Sequence, residues 1–150
     1  MSFSDFMSGL KQKTGELKAE MMKFKNKKFL NAATAGAALI AMADGVLDSE
    51  EKKKMLKFIE NNDALSVFKT QEVIGAFKDF IDNFDFDKDI GESKAYEALN
   101  LLRGNEVECR TVMRLILSIA AADGVFDDSE KMVARKIAIE LNLNPDDFEL

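Results

Sequence analysis

Two sets of carboxylates have the residue types and spacing to do chemistry. Asp44, Asp48 and Glu51 recur as Asp123, Asp127 and Glu130 at a constant offset of 79 residues. The surrounding stretch repeats as well: Ala43-Asp44-Gly45-Val46-Leu47-Asp48-Ser49-Glu50-Glu51-Lys52 returns as Ala122-Asp123-Gly124-Val125-Phe126-Asp127-Asp128-Ser129-Glu130-Lys131. Residues three apart on a helix share a face, so Asp48 and Glu51 emerge together, as do Asp127 and Glu130. An all-oxygen donor set without histidine or thiolate suits a hard divalent cation such as Ca²⁺, Mg²⁺ or Mn²⁺. Asp44 and Asp123 add a second consideration. Each falls at the C-terminal end of a predicted helix, where a carboxylate costs ~0.3–1 kcal/mol unless a cation or a hydrogen-bond donor compensates. The competing reading is structural. Asp-x-x-Glu has the form of a capping box and Asp-Gly that of a turn, so a duplicated hairpin would copy both without a site.

What the chain lacks narrows the chemistry. It has 150 residues, no histidine and a single cysteine, Cys109. Histidine-based triads, histidine–zinc centres and paired-thiol redox sites are therefore excluded, and no intramolecular disulfide can form. No GxGxxG or GxxxxGK[ST] string is present to hold a nucleotide. No organic cofactor is expected. An enzyme reading would need a two-metal carboxylate site for hydrolysis, with the same six side chains as its machinery. Asp85-Phe86-Asp87-Lys88-Asp89-Ile90-Gly91-Glu92 has the alternating acids of a calcium loop, but Ile90 occupies the position of the obligatory glycine and Tyr96 that of the bidentate glutamate. Turn and cap chemistry around Asp89 and Gly91 is expected there instead.

The elements that must position these groups are all helical, since no stretch alternates with a strand's period. Residues 3–28 read as one amphipathic helix with Phe3, Met7, Leu10, Leu17, Met21 and Phe24 on its seam. Residues 30–43 and 106–122 read as buried helices, each followed by an acidic turn and a charged helix, 48–60 and 127–141. Gly45 suits the left-handed residue that ends a helix. Between the hairpins lie a short helix near 64–68, a helix capped by Thr70 that runs to Phe84, and another from about Glu92 to Arg103. Asn144-Pro145 starts a last turn bearing Phe148. The expectation is a single all-α domain, a bundle of about seven to eight helices with its two hairpins in pseudo-twofold relation. Its parts would be residues 1–28, 29–61, 62–104 and 105–150.

Charge is unevenly spread. Residues 1–35 hold seven lysines against Asp5, Glu16 and Glu20, whereas the remainder holds 14 basic and 24 acidic side chains. Lys11, Lys18, Lys23, Lys25, Lys27 and Lys28 form a candidate surface for an anionic membrane or an acidic partner. Without a continuous apolar leader or a bilayer-length apolar run, the expected home is the cytoplasm. No nucleic-acid partner is expected for a chain of net charge −6.

Taken in order, Lys25-Asn26-Lys27-Lys28-Phe29, the two turns Asp44-Gly45 to Lys52 and Asp123-Gly124 to Lys131, and Phe84-Asp85-Phe86-Asp87 with Ile90-Gly91 resemble the TerB family of tellurite-resistance proteins. The resemblance implies a small all-helical, non-enzymatic cytoplasmic protein of a stress-response system. It implies metal ligands among Asp44, Asp48, Glu51, Asp123, Asp127 and Glu130. It also implies an integral membrane partner of the TerC type, other proteins of the tellurite-resistance system, and a place at the inner face of the cytoplasmic membrane. A protein-interaction module without a metal, its acidic turns serving as caps, is the alternative. Asp128 replaces Ser49, so the two turns need not be equivalent.

Overall fold

The computed structural model describes residues 6, 9, 14–45, 47–121 and 126–150. Among these, seven α-helices follow in order: α1 (Thr14–Lys23), α2 (Lys27–Ala41), α3 (Ser49–Asn61), α4 (Thr70–Phe86), α5 (Lys88–Asn100), α6 (Glu106–Ala120) and α7 (Asp128–Glu140). Short 3₁₀ turns cover Ala64–Val67 and Pro145–Phe148, and no strand occurs among the described residues.

The alanine-rich α2 is the hub. Every residue from Ala32 to Ile40 is buried, and the helix packs on α4, α5, α6 and α7. Small side chains make this possible, because they let four neighbours approach one axis. The limit is reached at Gly36, where an added Cβ would lie 2.3 Å from Ile116 Cδ1 on α6. Among the described residues Thr34 and Thr111 are the buried polar ones, and both hydroxyls are satisfied. Thr34 donates to Leu30 O at 2.9 Å, and Thr111 donates to Val107 O at 2.8 Å. Val112, Met113, Leu115, Ile116 and Leu117 of α6 are fully buried, as its nearly all-apolar pattern predicts.

The first predicted helix ends early. Residues 3–28 do not form one helix, because α1 stops at Lys23 and Asn26 starts α2. The Asn26 side chain accepts the Phe29 N–H at 2.9 Å, and asparagine is among the strongest N-caps. Lys27 and Lys28 thus open a helix rather than close one. Within its described part, α1 is docked. Leu17 and Met21 are buried, Lys18 Nζ lies 3.7 Å from Asp63, and Glu20 accepts from Arg114 Nη1 at 2.9 Å and from the Thr111 hydroxyl at 3.1 Å.

A second difference lies between α4 and α5. The segment from Asp85 is not a loop: α4 runs to Phe86, and α5 begins at Lys88 instead of Glu92. One residue, Asp87, does all the turning. Its backbone is extended, its N–H donates to Asn83 O, and its Oδ1 accepts the N–H groups of Asp89 and Ile90. The cap is therefore Asp87 and not Asp89. Gly91 sits inside α5, where its bare Cα makes room for Phe84. Thr70 is likewise the first helical residue and not the cap; Lys69 precedes it without a side-chain cap bond.

The Asn144-Pro145 turn forms as expected. Asn144 accepts from Asp146 N, and Phe148 is buried with the Phe6 ring edge-on to it at 6.0 Å. The two acidic hairpins share local geometry but not neighbours. Helix α3 lies against α4, whereas α7 lies against α2, α5 and α6.

Candidate functional site

Each acidic turn is built by the same two local devices. The residues closing α2 and α6, Met42 and Ala121, have nearly identical backbones, at φ −94°, ψ 10° and φ −93°, ψ 11°. After α2 the chain reverses at Gly45, whose φ of 93° is the left-handed conformation that favours glycine. Asp48 and Asp127 then cap α3 and α7, with φ, ψ of −77°, 173° and −80°, 176°. Asp48 Oδ1 accepts the Glu51 N–H at 2.8 Å, and Asp127 Oδ1 accepts the Glu130 N–H at 2.8 Å. In the second turn the box is reciprocal, since the Asp127 N–H donates to Glu130 Oε1 at 3.3 Å. The Ser129 hydroxyl adds a bond to Asp127 Oδ1 at 2.7 Å.

Because α2 and α6 cross closely, the ends of both helices open onto one cavity of about 230 Å³. Its apolar wall comes from residues such as Ile40, Leu47, Phe58 and Ile119. Its polar lining is Asp44 and Glu51 from the first turn, Asp127 and Glu130 from the second, and Lys54. Convergence of the two turns is a tertiary result that spacing did not contain. Asp48 is not among the lining residues, and Asp123 lies outside the described residues. Among the described residues, no three carboxylate, histidine or cysteine side chains are gathered closely enough to hold a metal ion. Lys54 was missed, although its position three after Glu51 places it on the same helical face.

The electrostatics of the carboxylates diverge. Asp127 is held below the usual carboxylate range, chiefly by the Glu130 backbone N–H and then by the Ser129 hydroxyl. Asp48 is lowered in the same way by the Glu51 N–H. Glu51 is raised, first by desolvation at the cavity wall and then by the negative charges of Asp48 and Asp44. These shifts have opposite consequences for folding. The contribution of Asp127 is complete above its unfolded pKa near 3.8 and is lost as pH falls through its lowered folded value. Glu51 favours the fold while protonated, and that contribution is lost as pH rises from about 4.5 through its raised value. Asp127→Ala is expected to cost ~1 kcal/mol at neutral pH, as a lost cap does, with the deficit shrinking in acid. Urea denaturation at neutral pH and below pH 3 checks this; equal deficits at both would contradict it.

Lys11 lies outside the described residues, Lys18 is paired with Asp63, and Lys23, Lys25, Lys27 and Lys28 are exposed. Lys25 and Lys27 rim a second cavity of about 450 Å³ whose lining includes Leu30, Phe68 and Ala76. Cys109 is buried, with its thiol donating to Leu102 O and its pKa raised by desolvation, so it is no exposed nucleophile. Among the described residues no helix is long and apolar enough to cross a membrane.

The family described as Tellurite resistance protein TerB matches residues 30–150. The matched range begins just after Lys25–Phe29, leaving α1 and all six candidate surface lysines outside it. A tellurium resistance protein TerB from an Alcaligenes species is 35% identical over 116 residues, covering 77% of this chain and 95% of that protein. No solved structure matches.

Proposed function

Since this chain belongs to the TerB family of tellurite-resistance proteins, we propose that it serves resistance by binding a hard divalent cation and not by turnover. The site is the cavity between the acidic turns. One observation carries the reading: carboxylates from both copies of the repeated motif line the same cavity. The donors are all oxygen, which fits Ca²⁺, Mg²⁺ or Mn²⁺. The described carboxylates are not gathered into a ready-made set of three. Binding therefore has to draw the two turns together, and that motion is the signal a resistance system would read. Asp44, Glu51, Asp127 and Glu130 would hold the ion, with Asp123 as the candidate from the second turn. Cation affinity should fall as pH drops through the carboxylate range.

Calorimetry on the EDTA-treated protein tests this directly. Heat with at least one of the three ions is expected, with affinity at least about tenfold weaker in Asp44→Asn and in Glu130→Gln, as losing a charged ligand implies. Backbone amide shifts should move in both turns together. No heat with any ion ends the reading.

A second reading has its own observation. Asp48 and Asp127 each already accept a first-turn N–H, as pure caps would. A protein-interaction module would then show unchanged thermal stability with every ion. Under either reading the proposed partner is an integral membrane protein of the TerC type at the inner face of the cytoplasmic membrane. The exposed Lys23 and Lys28 supply a basic edge for that contact.

A further inference from the structure

The acidic cavity carries a positive charge of its own. Lys54 of α3 lines it together with Asp44, Glu51, Asp127 and Glu130, so four carboxylates face one ammonium. That charge opposes the upward shift of Glu51, which desolvation and the neighbouring aspartates cause. Among the described residues, however, Lys54 enters no ion pair. The residue is exposed, and its flexible stem leaves the ammonium several positions to choose from.

The duplication supplies this lysine only once. At the 79-residue offset Lys54 corresponds to Val133, which is half-buried against the core. Capping does not require the lysine, since Asp127 caps α7 with a valine in that place. Lys54 also borders a second hollow, formed by α3 residues that include Glu50 and Glu60. Glu50 precedes Lys54 by four residues and Glu51 by three, so the lysine stands between them on the helix surface. A change of rotamer carries its charge from the cavity to Glu50, and Glu before Lys at this spacing is the favourable order.

We infer that Lys54 is the built-in counter-ion of the acidic cavity, turned toward its carboxylates in the cation-free chain and displaced toward Glu50 when a divalent cation enters. This rests on the cation reading above and adds the residue that regulates it. Without a counter-ion, four carboxylates brought together by the α2–α6 crossing repel one another and oppose the fold. With a divalent ion in place, the ammonium is redundant and repelled. Lysine and cation therefore compete for one set of oxygens. Lys54 sets the concentration at which the cation wins, so the cavity stays closed to trace amounts.

Urea unfolding and calorimetry on the full chain, EDTA-treated and at low salt, test the two halves of this exchange. Lys54→Met keeps the length and helix propensity of the side chain but not its charge. In EDTA it should raise the unfolding constant about two- to fivefold, the range for an exposed charge pair, and about 0.5 M salt should erase the difference. Titrated with Ca²⁺, Mg²⁺ and Mn²⁺ in turn, it should bind the ion that gives heat about fivefold tighter than the wild type. That is the repulsion expected between a divalent ion and an ammonium ~8 Å away in water. Lys54→Arg should match the wild type in both measurements. Lys53→Met removes a neighbouring charge that does not line the cavity, and should change either by less than about twofold. A Lys54→Met chain as stable as the wild type in EDTA, one that binds no tighter, or equal effects at the two lysines would each overturn the inference and leave cation binding standing. Absence of heat from wild type and Lys54→Met alike would overturn the exchange together with the cation reading.

Discussion

Phe29→Ala is expected to lower the stability of the chain by about 3–5 kcal/mol, the range for deleting a fully enclosed phenyl ring. The Phe29 ring has no solvent exposure and lies between Phe24 at 6.1 Å and Phe68 at 6.3 Å, both near-parallel to it at 18°. Its backbone N–H also receives the Asn26 cap. One side chain thus joins the α1–α2 turn, the first turn of the hub helix and the 3₁₀ segment that supports Phe68. Three elements cannot collapse together onto the hole, so the cavity term should persist. For a chain of this size the loss corresponds to roughly 6–20 °C in Tm. Thermal and urea unfolding measure it, and a change under 1 kcal/mol would show that the three-ring stack carries little of the fold.

The second large effect is expected at Gly91. A Cβ placed there would lie 2.5 Å from Phe84 Cγ and 2.7 Å from Phe84 Cα. The ring could rotate away, but the Cα belongs to α4 and moves only if the corner opens. Gly91→Val should therefore cost about 3 kcal/mol, at the upper end of overpacking penalties, despite the entropy saved by replacing a helical glycine. Gly75 is the matched control, because it is also helical and meets nothing within 4 Å. Gly75→Ala should be neutral or stabilising by up to ~1 kcal/mol. Equal responses at the two glycines would refute the close approach.

The contrast between these glycines shows what could and could not be read in advance. Both sit in helices of the structure, although Gly91 reads as part of a turn in the sequence, and neither glycine announces which of them is crowded. The difference is the backbone of another helix, which only folding brings near. The same holds for Asp87, which alone separates α4 from α5, and for the three-residue break at 24–26 that ends in the Asn26 cap. Hydrophobic period marks a helix by its interior, and a break of one to three residues hardly disturbs that period. Residues 3–28 consequently read as one helix, and the aspartate-rich corner as a loop.

By itself the order of residues determined the all-helical class, burial of the alanine-rich and α6 segments, the caps at Asp48, Asp127 and Asn144, the inert cysteine and the family. Each follows from interactions within a few neighbours or from the total of apolar surface to be hidden. Tertiary structure alone decided that the two acidic turns share a cavity, that Lys54 stands among their carboxylates, that Asp48 does not line that cavity, and that α1 is docked. Those depend on the approach of α2 to α6 and of α1 to the body, where Gly36 meets Ile116 and Glu20 meets Arg114. Pairings across 80 to 94 residues leave no period in the chain, because the contact is set by packing and not by spacing.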